Sequence, residues 1–138
     1  MTAEKIEVEA LINASPGKVY QLWTKPDHIT KWNFASDDWC CPSAENDLRV
    51  GGIYKSRMEA KDGSFGFDFE GEYEEVSPSE KLVFSLSDGR QVETTFEEEV
   101  GSTRVTTRFD PESQSSIAMQ REGWQAILDN FKKYAETR

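Results

Sequence analysis

The segment Phe65–Glu74 reads FGFDFEGEYE and alternates without a break. Phe65, Phe67, Phe69 and Tyr73 fall on one side of an extended chain, with Gly71 among them, while Asp68, Glu70, Glu72 and Glu74 fall on the other. Successive side chains of a strand point to opposite faces, so the pattern predicts a strand with one buried face and one wet face. The same period recurs along much of the chain. Lys5–Ile12 places Ile6, Val8, Ala10 and Ile12 opposite Glu7 and Glu9. Gly51-Gly52 opens a strand over Ile53–Ala60, and Lys61-Asp62-Gly63-Ser64 is a turn whose Asp-Gly pair tolerates positive φ. Val76–Ser79 ends the Phe65 strand. Lys81–Ser87, Gln91–Val100 and Thr103–Phe109 follow as strands, separated by Asp88-Gly89 and Gly101-Ser102.

The period changes at both flanks of this β region. Ser15-Pro16 offers an N-cap followed by a first-turn proline, and Val19, Tyr20, Leu22 and Trp23 give a short amphipathic helix ending before Pro26. Asp27–Trp32 reads as a second short helix. At the other end, Asp110-Pro111-Glu112 reads as a helix start. Ile117, Trp124, Ile127, Leu128, Phe131 and Tyr134 then form one stripe, predicting a helix from Glu112 to Glu136 about 36 Å long.

Hairpin-linked strands form an antiparallel meander, whose apolar face must be covered. The C-terminal helix is the only element long enough to cover it. The expected fold is therefore α+β, a helix-grip: a curved antiparallel sheet of about six strands around a long C-terminal helix, with two short helices after the first strand. The 138 residues are expected to form a single domain, 1–138. A curved sheet and a straight helix leave a gap, which large side chains either fill or wall. Gly123, beside Trp124, costs the helix about 1 kcal/mol relative to Ala. It either permits close contact with the sheet or leaves room for a ligand.

Composition narrows the partners. A net charge of −10 argues against a nucleic-acid surface and against docking on an anionic membrane. The N-terminus MTAEKIEVEA has neither the basic nor the apolar region of a secretory signal, and no apolar run reaches the roughly 20 residues of a membrane span. A cytoplasmic protein is expected. Strand edges flanked by Glu and Lys fit a monomer.

The inventory for catalysis is thin. The single His is His28 in the second short helix, and no nucleophile elbow or phosphate-binding glycine motif occurs. Cys40 and Cys41 are adjacent, which does not supply the four-ligand pattern of a structural zinc site; they read as small hydrophobes. The carboxylates of the Phe65 strand alternate outward, away from any site where burial could raise a pKa. No catalytic residue, metal or cofactor is assigned. On strand Ile53–Ala60 two parities remain open. Either Tyr54, Ser56 and Met58 face inward, or a register flip brings in Arg57 and with it an anionic ligand.

SPGKVYQLWTKPDHITKW (Ser15–Trp32), VGGIYKSRMEAKDGS (Val50–Ser64), FEGEYEEVSPSEKLVFS (Phe69–Ser85), TTFEEE (Thr94–Glu99) and MQREGWQAILDNFKKY (Met119–Tyr134) carry a resemblance over nearly the whole chain. The sequence resembles the activator of heat-shock-protein-90 ATPase homologue-like proteins, within the START-like (SRPBCC) helix-grip superfamily. The resemblance implies an apolar pocket between sheet and long helix, and it implies a chaperone as a partner.

The resulting expectation is non-catalytic binding of a small hydrophobic or aromatic molecule. The wall is expected to comprise Trp23, Trp32, Trp39, Tyr54, Met58, Phe67, Phe69, Phe84, Phe96, Met119, Gly123 and Trp124, with Trp39 of the stretch KWNFASDDWCCP at the pocket mouth. The alternative is a protein-interaction, co-chaperone-like module in which the same residues simply fill a core. Cyclase or hydratase chemistry, as in some superfamily members, is a third reading that lacks an inward acid or base.

Overall fold

The structure, a computed structural model, describes residues 5–138. Met1–Glu4, part of the stretch read above for a targeting signal, lie outside the described residues. The elements in order are β1 (Ile6–Ile12), α1 (Pro16–Thr24), α2 (Pro26–Trp32), β2 (Trp39–Asn46), β3 (Ile53–Ala60), β4 (Gly66–Ser77), β5 (Lys81–Ser85), β6 (Gln91–Glu99), β7 (Ser102–Phe109) and α3 (Ile117–Glu136). The seven strands form one antiparallel, curled sheet in the order β1-β7-β6-β5-β4-β3-β2. The α+β helix-grip is present, with α1 and α2 directly after the first strand.

Local chemistry accounts for most boundaries. Ser15 Oγ accepts a hydrogen bond from the Lys18 amide, capping α1 with Pro16 in its first turn. Beyond the β1 end, Thr103 Oγ1 donates to the Ala14 carbonyl at 2.8 Å, fixing where the chain leaves the sheet. The strand beyond the expected six is β2. Cys40-Cys41-Pro42 shows no alternation, so the sequence pattern does not reveal it. β2 is an edge strand, and a register shift between Cys40 and Ser43 takes up Pro42, which has no amide to donate.

The start of the long helix also differs. Asp110 does not cap it. Its Oδ2 accepts from the Gln91 amide at 2.9 Å and its Oδ1 accepts from Lys5 Nζ at 3.0 Å, so the carboxylate ties together the ends of β1, β6 and β7. Ser116 is the N-cap, accepting from the Met119 amide at 3.1 Å, and α3 is 20 residues long, about 30 Å.

The parity of β3 is resolved. Ser56 and Met58 are buried on the inner face, while Arg57 lies outside and pairs with Glu59 at 2.8 Å and Asp68 at 3.6 Å. The core gathers Val8, Ile12, Val19, Ile29, Val105, Leu128 and Phe131 beneath α3. The helix is held at one edge of the sheet by its own side chains. Gln125 Nε2 donates to the Glu9 carbonyl at 3.0 Å and Lys132 Nζ to the Leu11 carbonyl at 2.6 Å, and the Asn13 amide donates to Glu136 Oε2 at 2.9 Å. These bonds occupy free backbone groups along an edge strand and its exit, groups that would otherwise be open to pairing with another chain.

Two glycines separate a required position from a dispensable one. A Cβ at Gly71 would sit 2.2 Å from Phe84 Cδ2, so the ring needs a glycine beneath it. A Cβ at Gly123 would meet nothing within 4 Å, which removes the close-contact explanation for that residue. Gly71→Ala is expected to cost about 1–3 kcal/mol by forcing Phe84 aside. Gly123→Ala is expected to stabilise by about 0.5–1 kcal/mol through helix propensity. Urea denaturation of the two variants side by side checks both signs.

Candidate functional site

Between α3 and the inner face of the sheet lies a cavity of about 650 Å³. Its walls are mostly rings. At one end Trp23 stacks on Trp32 with centroids 4.8 Å apart, and Phe131 meets both edge-on at 4.9 Å. Offset and edge-to-face contacts of this kind hold ring orientations beyond what burial alone does. On the helix side Trp124 lies flat on Phe109, 3.9 Å between centroids and 17° between planes. On the sheet side Tyr54 stacks on Phe84 at 5.5 Å, and Phe69 stands edge-on to Tyr54, Phe84 and Trp124. Val8, Leu82 and Val92 complete the apolar floor. Phe65, Phe67, Arg90, Glu112 and Ser115, exposed or half-exposed members of the lining, mark the mouth.

The segment between β7 and α3 is held at this mouth by Gln120. Its Nε2 donates to the Glu112 and Ser115 carbonyls at 3.1 and 2.9 Å, and its Oε1 accepts from the Glu112 amide at 2.9 Å.

Two polar groups face the buried part of the cavity. Tyr54 Oη accepts from Ser56 Oγ at 2.5 Å and from Asn33 Nδ2 at 3.3 Å. Burial pushes the Tyr54 phenol up to about 12; the Ser56 bond works against this, the buried Cys41 thiol beside it adds to it, and the Asn33 bond opposes it. The second group is a hydroxyl pair, Thr94 Oγ1 and Thr107 Oγ1, 3.0 Å apart. Tyr73 Oη points to Asn46 Oδ1 at 2.7 Å, and burial raises its pKa as well. Cys41 is a free thiol pushed up by burial, the reverse of an activated nucleophile. His28 bonds Tyr134 Oη at 2.6 Å and is not among the cavity-lining residues. Among the described residues no group of three or more His, Cys, Asp or Glu is placed to hold a metal ion.

Of the residues expected in the wall, Trp23, Trp32, Tyr54, Met58, Phe67, Phe69, Phe84 and Trp124 line the cavity, and Trp39, Phe96, Met119 and Gly123 do not. Trp39 opens the edge strand and stands one layer away, its ring against Phe65 and Phe67 at 6.0 and 6.2 Å. Phe96 points inward but lies beyond the cavity, edge-on to Tyr20 and Trp23. Met119 is 68% exposed because α3 begins late and turns Gln120 inward instead. The sequence reading also missed Thr94, Thr107, Asn33, Arg90 and Gln120. For Thr94 and Thr107 a signal was present: each alternates with inward apolar neighbours, Val92 and Phe96 in β6, Val105 and Phe109 in β7.

Residues 13–136 match the family model described as Activator of Hsp90 ATPase homolog 1-like protein. The chain belongs to that family. The Activator of Hsp90 ATPase homolog 1-like proteins sit within the START/SRPBCC helix-grip superfamily. A solution structure of an AHSA1-like protein from Aeromonas hydrophila is 45% identical with a TM-score of 0.90, covering 96% of this chain and 92% of that one. A solution structure from Cytophaga hutchinsonii is 41% identical with a TM-score of 0.84, covering 98% and 94%. A crystal structure from Chromobacterium violaceum shares only the fold, at 22% identity, a TM-score of 0.87 and coverage of 97% and 99%. No curated protein matches the chain. Among the described residues no helix is long and apolar enough to cross a membrane, which says nothing of a β-barrel.

For this family member the raised Tyr54 pKa sets a measurable pH dependence. The folded chain keeps the phenol proton up to about 12, while the unfolded chain releases it near 10.0. The contribution is complete below pH 10 and is lost as the pH rises towards 12. Between about pH 9 and about pH 12 the wild type is expected to lose about 2 kcal/mol more unfolding free energy than Tyr54→Phe, read from urea titrations at each pH.

Proposed function

We propose that the chain binds a small hydrophobic or aromatic molecule in the cavity between sheet and α3, without turning it over. The observation that carries this is the volume of about 650 Å³ bounded by rings already held in place by one another. That volume lies within the range of roughly 300–1,000 Å³ typical of ligand sites, and the predominance of apolar and aromatic walls with a few placed polar groups is typical as well. A wall whose rings stack on protein partners is pre-organised, so little ordering cost falls on the ligand. Binding without turnover is the reading because, among the described residues, the buried lining offers neutral hydrogen-bonding groups and no carboxylate, imidazole or amine. We read residues 1–138 as one START-like unit, a cytoplasmic monomer.

A second reading, a protein-interaction or co-chaperone-like module, draws on the family and on the aromatics left outside. Phe65 is 60% and Phe67 41% exposed at the mouth. A partner chaperone would meet them there.

The deciding experiment is native mass spectrometry of gently purified protein, with a denatured control. An adduct of small-molecule mass that is lost on denaturation is expected, and Val92→Phe, which drives a ring into the cavity, is expected to cut the bound fraction at least about tenfold with the far-ultraviolet circular dichroism unchanged. A persistently clean mass, together with failure of added aromatic dyes to quench the cavity tryptophans, would transfer the weight to the protein-interaction reading.

A further inference from the structure

The inner face of β6 runs Val92, Thr94, Phe96, and that of β7 runs Thr103, Val105, Thr107, Phe109. Three threonines interrupt otherwise apolar rows. Thr103 has a structural task, its hydroxyl donating to the Ala14 carbonyl. Thr94 and Thr107 have no such partner. They are directly opposite each other across the β6–β7 ladder, each 3% exposed, and both line the cavity. Their only side-chain hydrogen bond among the described residues is to one another.

Proton counting gives the pair a direction. Two hydroxyls carry two protons and about four lone pairs. The bond between them uses one proton, so the other hydroxyl proton meets no protein acceptor among the described residues. A buried donor left unmade is costly, and buried polar groups in native proteins are as a rule satisfied by protein, water or ligand. The pair also lies below the mouth. Thr94–Thr107 is one inward step past Val92–Phe109, and Arg90 at the mouth precedes Thr94 by four residues, about 13 Å of strand. Among the described residues Arg90 and Glu112 are the only charged ones in the lining, and both lie at the mouth.

We propose that Thr94 and Thr107 form the polar anchor of the cavity and select a neutral ligand that carries one hydroxyl or carbonyl oxygen at the inner end of an apolar, ring-compatible body. This rests on the small-molecule reading above and specifies its ligand class. A carboxylate does not suit this depth, because two neutral hydroxyls do not offset the desolvation of a charge. A pure hydrocarbon fits the rings but leaves the free donor unmade.

The test compares pyrene with 1-hydroxypyrene, each titrated against the full-length protein and read by quenching of tryptophan fluorescence. The quantity of interest is the ratio of the two dissociation constants, which cancels general effects of a substitution on the cavity. The wild type is expected to prefer 1-hydroxypyrene. In the double variant Thr94→Val, Thr107→Val, which keeps side-chain volume and removes both hydroxyls together, the ratio is expected to fall roughly 3- to 10-fold, the range of one neutral hydrogen bond. The double serine variant, which keeps both hydroxyls, is expected to retain it and serves if the valine variant folds poorly. An unchanged ratio in the valine variant, or a wild type indifferent to the hydroxyl, would make the pair a cross-strand contact only and overturn the anchor while leaving the pocket in place. Failure of the wild type to bind either compound would overturn the pocket reading and the anchor with it.

Discussion

A straight helix lying on a curled sheet can follow it closely along one side only, and here that side is β1. Side chains from three positions of α3 engage the backbone of the first strand and its exit: Gln125 at Glu9, Lys132 at Leu11, Glu136 at Asn13. These bonds fix both the height of the helix and its lateral position. The middle of the sheet then curves away beneath it, and the distance opened over β4, β5 and β6 must be bridged by side chains. Everything distinctive about the interior follows from that offset. It also protects the protein, since β1 is an edge, and its free carbonyls are spent on α3 instead of on another chain.

The bridging is done by rings, and the geometry of rings explains why a space survives. An aliphatic core collapses towards uniform density because its side chains interdigitate. Aromatic groups that stack on one another satisfy their contacts in pairs and act as panels. Trp124 on Phe109 joins helix to sheet at one end; Trp23, Trp32 and Phe131 close the other; Phe69 stands between them. Gly71 contributes by having no side chain, so that Phe84 lies across β4 and meets Tyr54 face to face. The volume between the panels is the part of the helix–sheet gap that no residue enters.

The regular part of this was legible in the sequence, because amphipathic period is a local record of which face is buried. Alternation located β1 and β3 to β7, and Ser15-Pro16 located α1. What was not legible depends on contacts remote in sequence. Asp110-Pro111-Glu112 has the local form of a helix start, yet Asp110 is claimed by Gln91 and Lys5, and the helix waits for Ser116. That shift of several residues moved Met119 out of the wall and Gln120 into it. β2 was hidden because a bulge next to Pro42 breaks its alternation. Thr94 and Thr107 were passed over for a different reason. Threonine is at home on either face of a strand, so only the register of β6 against β7 shows that the two hydroxyls meet.

The charge of the molecule and the chemistry of its interior are separate matters. Carboxylates such as Glu7, Glu9, Asp68, Glu93 and Glu99 lie on the outer faces of the strands, where Arg57, Lys81 and Arg104 each pair with acidic neighbours at the surface. Exposed pairs of this kind contribute little to stability, and their fields fall off within about 8–10 Å at ordinary salt. The inner face carries the opposite design. Among the described residues the buried polar groups there are neutral, including the phenol of Tyr54 held by Ser56 and Asn33, and the hydroxyls of Thr94, Thr103 and Thr107. Charge therefore governs what approaches the outside of the sheet, while ring geometry and a few uncharged hydrogen-bonding groups govern what can stay within.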